Sequence, residues 1–588
     1  MHSNWPILIS AVVAAACAGQ PARITVIDSQ TDRGVPLVEL TTTNGIVHVT
    51  DSAGVIAFDE PGLMDSDVFF NVRSHGYQFP KDGFGIAGTR VRTTRGSAVT
   101  LRIDRVNIAE RLYRATGAGI YRDSVLLGDT PPTREPLLNG GVLGQDSVQT
   151  ALYRGKLFWF WGDTSRASYP LGNFSMSGAV SELPGRGGLD PAVGIDLVYF
   201  VGRDGFSRGM CPIEGEPGPV WADGLVTCTD ASGRERLLCH WVRVKSLGEM
   251  YEQGFAVYND EREVFEPVRR FAKDAILYMR SHPVRHADAD GDYWYFPSPF
   301  PLIRCRAEYE RLLDVTEYEA FTCLRAGKRM PPEGDPIPAD LVERDSSGRV
   351  VYAWRRDTAP VLQQDQMRLI DAGAMKPDEA LLQLRDAATG KGVIGHAGSV
   401  FWNEYLGSWL MVVQELFGAT SVAGEIWLAK APSLTGPWRD AVKIVTHDDY
   451  SFYNVKHHPY FDQEGGRVVY LEGTYTMAFS GTKVPTPRYD YNQVMYRVDL
   501  ADARLGWAPG ARRASPDAAE KPVDEHEQQD GADEAAAPLP RNQSGDACLE
   551  EPVHRDTPKN EPPASAAQCS PDRAVGEMRR RRGCVAPP

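Results

Sequence analysis

Several features typical of membrane, metal-binding or nucleic-acid-binding proteins are missing from this sequence. No apolar run reaches the roughly 20 residues that a membrane-spanning helix needs. The nine cysteines include no C-x-x-C pair, so there is no sign of a structural zinc site. A formal net charge of −15 argues against nucleic acid or an anionic membrane surface as the main partner. An uncharged ligand such as a carbohydrate polymer suits this acidic, aromatic-rich chain better.

The first 18 residues are typical of an export signal. An apolar run over residues 5–13 is followed by small residues ending in Ala16-Cys17-Ala18, which resembles an A-x-A cleavage site, although no Lys or Arg precedes the run. We therefore expect a secreted or otherwise extracytoplasmic protein. Residues 14–17 also resemble a weak lipoprotein box, which leaves open a lipid anchor at Cys17. In such a compartment we expect a disulfide between Cys305 and Cys323.

The length of 588 residues predicts two or three domains. Residues 22–105 contain short apolar strands separated by turn residues every 8 to 12 positions or so, which indicates a small β-sandwich. Residues 107–114 predict a short linking helix. Beyond residue 500 the composition shifts to Ala, Pro, Glu, Asp and Arg without periodicity, so residues 501–588 are predicted to form a disordered tail.

The first unit resembles the transthyretin-like or carboxypeptidase-regulatory-like β-sandwich modules of secreted bacterial proteins. The resemblance lies in Asp28, in Gly34-Val-Pro36 and in residues 50–58. It implies a spacer or stabilising module, and no catalytic set of residues occurs in it.

Residues 117–500 repeat one theme, in which an apolar strand, a tight polar turn and an aromatic-rich strand follow one another. Five such hairpins without a long helical period predict an all-β fold, a five-bladed β-propeller. The predicted second strands are residues 157–161, 237–242, 293–296, 409–413 and 468–471. Helices are expected only at residues 307–313 and 376–384.

The hairpin over residues 144–164 carries the strongest functional signal. Arg154-Gly155 is typical of a two-residue turn, and pairing Tyr153 with Lys156 places Asp146 directly across from Asp163. Directly opposed carboxylates are destabilising, and one of them is expected to have a raised pKa, as a general acid facing a general base requires. The alternative is that both aspartates only form turns at strand ends.

The other hairpins place polar residues at the same end of their strands, where the innermost strands of a propeller meet. If the registers hold, these side chains line one funnel and bind substrate. The candidates are Asp223, His282, His396, Gln414, Glu415, His458 and Glu472, with His457 beside His458. Adjacent strand residues point to opposite faces, so one of the two histidines is expected to pack inside. Trp159 and Trp161 are expected in the core.

Gly144-Gln-Asp146 followed by Trp161-Gly-Asp-Thr164 resembles the first-blade signature of secreted bacterial five-bladed propellers that include endo-D-arabinanases. Residues 424–438 are similar to a blade edge of furanosidase propellers such as glycoside hydrolase family 43. The resemblance implies a glycoside hydrolase acting on a polysaccharide, with furanosyl polymers of the arabinan type as the candidate substrates and Asp146 and Asp163 as catalytic acids. In family 43 the acids come from three blades, and that pattern would instead join Asp223 and Glu415 to Asp146.

Several alternatives stay open at this point. A carboxyl separation of about 5 Å favours retention of anomeric configuration and about 6.5–9.5 Å favours inversion. No cofactor is expected, although Asp288-Ala-Asp-Gly-Asp292 imitates a calcium loop; a hairpin turn is the simpler interpretation. The chain could also be a non-catalytic sugar-binding propeller or a surface adhesion module, because the fold alone implies no activity.

Overall fold

The computed structural model describes residues 19–173, 175–246, 248–488 and 490–507, and these belong to one compact unit that is almost entirely β-structure. The predicted export signal, Cys17 and residues 508–588 lie outside the described residues. Residues 501–507, assigned to the tail from the sequence, include a 3-10 turn over Ala503–Leu505 with Leu505 fully buried. Within the described part of the chain, no helix is long and apolar enough to cross a bilayer.

The N-terminal strands form two four-stranded sheets around one apolar core. Their order is β4-β1-β8-β6 in one sheet and β3-β2-β5-β7 in the other. Burial alternates along β1, as expected for a strand with one face on a core. The strands are β1 (Ala22–Asp28), β2 (Glu39–Thr42), β3 (Val47–Val49), β4 (Val55–Phe58), β5 (Asp67–Arg73), β6 (Tyr77–Gln78), β7 (Gly88–Arg92) and β8 (Ala98–Arg105).

The predicted helix at residues 107–114 is wrong. This segment holds strand β9 (Glu110–Arg114), whose five residues are all buried and which pairs with a strand some 380 positions later. The apolar spacing of Ile108, Leu112 and Tyr113 suits a helix turn, but the edge of the last sheet supplies backbone partners along one side of the segment, and this pairing determines the outcome. A short helix, α1 (Arg122–Leu126), follows.

Two groups of strands come next. The first group contains the sheet β11-β12-β15-β16 and a three-stranded sheet, β10-β13-β14, in which the pairing of the β11–β12 hairpin continues. The second group is the sheet β17-β18-β19-β20. The bounds are β10 (Val142–Gln145), β11 (Gln149–Tyr153), β12 (Lys156–Trp161), β13 (Thr164–Arg166), β14 (Tyr169–Asn173), β15 (Ser177–Ser181), β16 (Val198–Tyr199), β17 (Val220–Thr229), β18 (Glu235–Ser246), β19 (Glu249–Asn259) and β20 (Val264–Phe271).

The third sheet of this series has the order β21-β22-β23-β24-β25, and an insertion follows it. Its strands are β21 (Val284–Asp288), β22 (Gly291–Tyr295), β23 (Ile303–Arg306), β24 (Glu319–Thr322) and β25 (Ala353–Arg355), and the helical elements are α2 (Tyr309–Leu312), a 3-10 turn (Val315–Glu317) and α3 (Gln363–Asp371). The predicted helix at 307–313 is thus confirmed as one turn. The one predicted at 376–384 is wrong, since the helix lies earlier and the segment runs into β26.

The last two sheets have the orders β26-β30-β29-β28-β27 and β31-β32-β33-β9. Strand β9 therefore completes the final sheet, although it comes before all the other strands of these sheets in the sequence. The bounds are β26 (Leu382–Asp386), β27 (Gly395–Asn403), β28 (Ser408–Glu415), β29 (Ile426–Ala431), β30 (Trp438–Val445), β31 (Ser451–His457), β32 (Val468–Thr476) and β33 (Asn492–Asp499), with 3-10 turns at Pro459–Phe461 and Glu464–Gly466.

Besides the three-stranded sheet β10-β13-β14, residues 110–499 build five sheets, and in each of these five the first strand of the characteristic hairpin lies at a sheet edge. We call these five strands, β11, β17, β21, β27 and β31, the inner strands. All five predicted second strands are confirmed, as β12, β18, β22, β28 and β32. β11 contacts β17 and β27 contacts β31, so inner strands of neighbouring sheets lie side by side. Trp159 and Trp161 are buried in the core, as predicted.

The predicted disulfide between Cys305 and Cys323 is wrong. Both thiols are free, as are those of the three other cysteines among the described residues. Cys305 and Cys323 are fully buried in different apolar clusters, one beside Phe296 and Tyr318 and the other in the insertion. Buried cysteines of this kind behave as small apolar side chains, which sequence spacing cannot distinguish from bridge-forming ones.

Candidate functional site

The hairpin register predicted from the turn is confirmed. Tyr153 pairs with Lys156 and Gln149 with Phe160, and the same register continues beyond the strands, where Gln145 pairs with Thr164. At the junction, the Asp146 amide donates to the Asp163 carbonyl over 3.2 Å, and the Gly162 amide donates to the Asp146 carbonyl over 2.9 Å. The two aspartates therefore face each other across the amino end of inner strand β11.

Two glycines of this hairpin are required by close contacts. A Cβ at Gly162 would lie 2.4 Å from the Asp146 carboxylate Oδ1, and a Cβ at Gly144 would lie 2.5 Å from the backbone oxygen of Tyr491. Neither distance is compatible with a side chain. The glycines therefore allow the carboxylate and the Tyr491 backbone to approach this hairpin closely.

The carboxyl group of Asp146 is 1% exposed, and its two oxygens differ. Oδ2 accepts hydrogen bonds from the hydroxyls of Tyr453 and Tyr491, each over 2.9 Å, whereas Oδ1 has no hydrogen-bond partner. Burial and the charge of Asp163 raise the pKa of Asp146, and the two phenolic hydrogen bonds offset this rise only in part. Because Oδ2 already accepts two hydrogen bonds, a proton on this group resides on Oδ1.

Asp163 is fully buried and is arranged in the same way. Its Oδ1 accepts a hydrogen bond of 3.1 Å from the indole of Trp221, and its Oδ2 is without a partner. Burial raises the pKa of Asp163, and the bond from Trp221 opposes that rise. The two carboxyls titrate as a pair, in which the charge on one favours the proton on the other.

Asp223 lies next to this pair on inner strand β17. It is two residues from Trp221, so both side chains share a face of the strand about 7 Å apart. Its Oδ1 is 2.9 Å from His240 Nδ1, and its Oδ2 accepts the amide of Ser281 over 2.8 Å. With 36% of its side chain exposed, Asp223 is the accessible carboxylate beside the buried pair.

His458, Glu472 and His282 form a second group, around Lys456. His458 Nε2 lies 3.0 Å from Glu472 Oε2, and Lys456 pairs with Glu472 across the strands of the last sheet. Burial lowers the pKa values of His282 and His458, and the charge of Lys456 lowers them further, so both imidazoles are neutral. Burial raises the pKa of Glu472 and lowers that of Lys456. His457 points the opposite way, toward Asp462 and Phe401, as alternation along a strand requires.

The remaining candidates lie on the fourth sheet. His396 is near the start of inner strand β27, and burial lowers its pKa while a hydrogen bond with Gln414 raises it. Glu415 accepts a 2.8 Å hydrogen bond from the Trp427 indole, and burial raises its pKa. Among the described residues Glu415 makes no hydrogen bond or ion pair with Asp146, Asp163 or Asp223.

Sequence reasoning missed four residues of the two groups. Tyr453, Tyr491 and Trp221, which are not ionised at neutral pH, contact the two carboxyls, and Lys456 lies at the centre of the second group. Tyr453 and Trp221 stand near the starts of inner strands, Trp221 two residues before Asp223 and Tyr453 four residues before His457, so strand position could have found them. Tyr491 reaches the site from a long connection, which no periodicity indicates.

The calcium-like segment is a hairpin turn. Asp288 Oδ1 accepts the amides of Asp290 and Gly291, and Asp292 forms an ion pair with Arg285. The described part of the chain contains no group of three or more His, Cys, Asp or Glu side chains that could hold a metal ion.

No protein-family model and no curated protein sequence matches this chain. Among solved structures, it is similar to an exo-1,5-alpha-L-arabinanase from a bovine ruminal metagenomic library, with 10% identity, 61% of this chain and 94% of that one covered, and a TM-score of 0.29. A beta-xylosidase, RS223, has 13% identity, coverages of 62% and 93%, and a TM-score of 0.31. A Cellvibrio cellulosa alpha-L-arabinanase complexed with arabinohexaose has 8% identity, coverages of 60% and 91%, and a TM-score of 0.30. TM-scores this low do not establish a shared fold.

Proposed function

We propose that this chain is a secreted glycoside hydrolase that cleaves a polysaccharide with the Asp146–Asp163 pair. In this proposal the five sheets are the blades of a β-propeller over residues 117–500, closed by β9, and residues 22–105 are a β-sandwich that precedes it. The observation that carries the proposal is the pair itself. Two buried carboxyls face each other, and each has one oxygen held by hydrogen bonds and one oxygen without a partner.

The surroundings assign a role to each carboxyl. Asp146 holds the proton on Oδ1, because its Oδ2 is occupied by two phenolic hydroxyls and because burial and the charge of Asp163 raise its pKa. It is the general acid that protonates the leaving glycosidic oxygen. Asp163 is the carboxylate that activates water or attacks the anomeric carbon. Its Oδ1 accepts the hydrogen bond from the Trp221 indole, and its Oδ2 is the oxygen that reacts.

Access to the pair requires one local change. Both carboxyls are buried, and the Tyr491 side chain that covers Asp146 belongs to the connection between β32 and β33. Tyr491 has a φ of +68°, a strained conformation for a bulky residue and one that occurs preferentially at functional sites. In this proposal substrate reaches the pair when Tyr491 is displaced from Asp146.

The experiment is hydrolysis of plant, algal and mycobacterial polysaccharides by the chain and by Asp146→Asn and Asp163→Asn. Loss of sugar release in both variants, each with a melting transition no lower than that of the parent and an unchanged near-ultraviolet circular dichroism spectrum, supports the assignment. The matched control is Asp51→Asn, a buried carboxyl of the N-terminal sheets that hydrogen-bonds Ser124. Activity that survives both substitutions at the pair contradicts the proposal and moves the roles to Asp223 and Glu415.

A second candidate is a non-catalytic carbohydrate-binding or adhesion propeller. The complete burial of Asp146 and Asp163 favours it, since a closed pair can also serve as a fixed structural element. This function predicts polysaccharide binding without hydrolysis by the parent chain. It also predicts that Asp146→Asn leaves binding unchanged.

A further inference from the structure

A cavity of about 480 Å³ lies at the carboxyl end of β27, just beyond that of β31 and beside the first residues of β21, and the Asp146–Asp163 pair is not part of its lining. We call it the Trp402 cavity, and its lining includes Arg285, His286, Phe401, Trp402, Trp409 and Pro459. These residues come from β21, the β27–β28 hairpin and the turn after β31.

The cavity is far from the catalytic candidates along the strands. His396 and Tyr453 mark the amino ends of β27 and β31, and Tyr453 contacts Asp146. Trp402 lies six residues after His396 along β27, which corresponds to about 20 Å of extended strand, and Pro459 lies in the turn that follows the end of β31. A ligand in the Trp402 cavity is therefore separate from a ligand at the carboxylate pair.

Two indole rings build the cavity. Trp402 and Trp409 are directly paired across β27 and β28, with ring centroids 5.6 Å apart and planes at 72°. Trp409 is only 5% exposed, and the His286 ring contacts it edge to face at 5.0 Å. Trp402 is 41% exposed. The buried indole thus fixes the orientation of an exposed indole, which presents a rigid apolar surface to a ligand.

The polar groups of the cavity favour an uncharged ligand that carries hydroxyl groups. The guanidinium of Arg285 is already paired, with its Nε 3.0 Å from both carboxylate oxygens of Asp292. Within the described residues, the ring nitrogens of His286 and the indole nitrogen of Trp402 make no hydrogen bond to protein. They can therefore donate to and accept from hydroxyls, while no unpaired cation is present to attract a phosphate or an acidic peptide.

We propose that the Trp402 cavity binds a sugar residue of a carbohydrate chain at a position separate from the Asp146–Asp163 pair. An apolar ring face stacks on Trp402, and the hydroxyls at the ring edge contact His286. The volume lies within the 300–1,000 Å³ range of small-ligand sites, which suits one or two sugar rings better than a protein surface. This site goes beyond the proposed hydrolysis, and it would hold a long polymer at a second point on the molecule.

The test measures binding in chains that cannot turn over substrate. Full-length Asp163→Asn protein, with and without Trp402→Ala, is run in affinity gels containing arabinan, xylan or galactan, and the dissociation constants are measured by calorimetry. We expect Trp402→Ala to weaken binding of at least one polysaccharide about tenfold, the effect of losing an aromatic contact. Trp402→Phe, which keeps a ring, should restore most of the affinity and excludes misfolding as the cause.

The matched control is Tyr405→Ala, which removes an aromatic side chain of similar exposure, 45%, three residues away from Trp402 and outside the cavity. We expect this variant to bind as the parent does. Equal losses for Trp402→Ala and Tyr405→Ala, or no polysaccharide binding at all, overturn the inference. Hydrolysis by the wild-type chain is scored separately, so failure of the proposed activity and failure of this site give different results.

Discussion

Asp146 combines two opposing influences on one buried carboxyl group. Two phenolic hydroxyls stabilise its ionised form, whereas burial and the nearby Asp163 stabilise its protonated form. Burial and Asp163 have the larger effect, so the pKa of Asp146 is raised in the folded protein. The folded protein therefore retains a proton on Asp146 at pH values where the unfolded chain, with the usual aspartate pKa of about 3.9, has released it. This residue therefore affects both the reaction and the pH dependence of stability.

Asp146→Asn is expected to lower hydrolysis by about 10²–10⁴-fold, the usual contribution of a positioned acid or base. It should also stabilise the fold at neutral and higher pH. A raised folded-state pKa means that stability is full below about pH 4 and decreases as the pH rises through the folded-state value. The melting temperature should therefore exceed that of the parent at pH 8 and match it near pH 4. A lower melting temperature at pH 8 would contradict the raised pKa.

Gly162→Ala is expected to displace the Asp146 carboxylate, because the new Cβ would lie 2.4 Å from Oδ1. A shift of about 1 Å at a reacting group lowers rates about 100-fold, and we expect at least this loss in kcat/KM. The control is Gly392→Ala, where the added Cβ meets no atom within 4 Å. Full activity of Gly162→Ala would show that Oδ1 does not take part.

The residues of the carboxylate pair could be predicted from the sequence, and their surroundings could not. Asp146 and Asp163 lie on one hairpin, so a two-residue turn sets their register over a short distance. Tyr453 and Tyr491 come more than 300 residues later, and only the closure of the last sheet against the first brings them to Asp146. Local patterns contain no information about contacts of this length.

At the scale of elements, strand β9 connects the N-terminal sheets to the last sheet. Its residues Leu112 and Tyr113 are buried in the same core as Trp159 and Trp161, and Glu110 forms an ion pair with Arg497. One five-residue strand thus stabilises sheets that are far apart in the sequence.

Leu112→Ala is expected to destabilise the protein by about 2–5 kcal/mol, the usual cost of such a truncation in a core. The free energy of unfolding from urea titration measures this effect. Val106→Ala, a change at a 54% exposed position just before the strand, should stay within about 0.5 kcal/mol of the parent. Equal values for the two variants would show that β9 does not stabilise the last sheet.

Strands were predicted better than helices. All five aromatic second strands were found because each combines β-branched or aromatic residues with a polar turn before it. The error at residues 107–114 and the misplaced helix at 376–384 have one cause. Each segment pairs with a strand distant in sequence, β33 in one case and β30 in the other, and this pairing overrides local spacing.

At the scale of the whole molecule, buried histidines determine the response to acid. His75 of the N-terminal sheets contacts Arg111 of β9 and Tyr475 of the last sheet, and His447 lies beside it with Tyr496. Burial lowers the pKa of His447 to about 3, and burial together with the charge of Arg111 also lowers the pKa of His75 well below its usual value. The pKa values of the buried His282 and His458 and of the partly buried His48 and His396 are lowered too.

The contribution of these histidines to the free energy of unfolding is therefore expected to fall on acidification, opposite in direction to the contribution of Asp146. A histidine with a lowered folded-state pKa contributes stability that is complete above about pH 6.5 and is lost as the pH falls toward the folded-state value. For His447 this window extends from about pH 6.5 to about 3. His447→Gln should reduce the slope by up to about 1.4 kcal/mol per pH unit within the window and leave it unchanged above pH 7. Urea titrations at several pH values measure the slope, and an unchanged slope would contradict the assignment.

The position of β9 also has a consequence for synthesis of the chain. Arg114 of β9 hydrogen-bonds Asn492 at the start of β33, 378 residues later. At a translation rate of about 5–20 residues per second, roughly 20–75 seconds separate the appearance of the two strands. The eight strands before β9 can fold during this interval, but Leu112 and Tyr113 have no partner strand until β33 is complete. A chain that stops anywhere before β33 thus exposes an unpaired apolar strand, which makes incomplete products recognisable to chaperones and proteases.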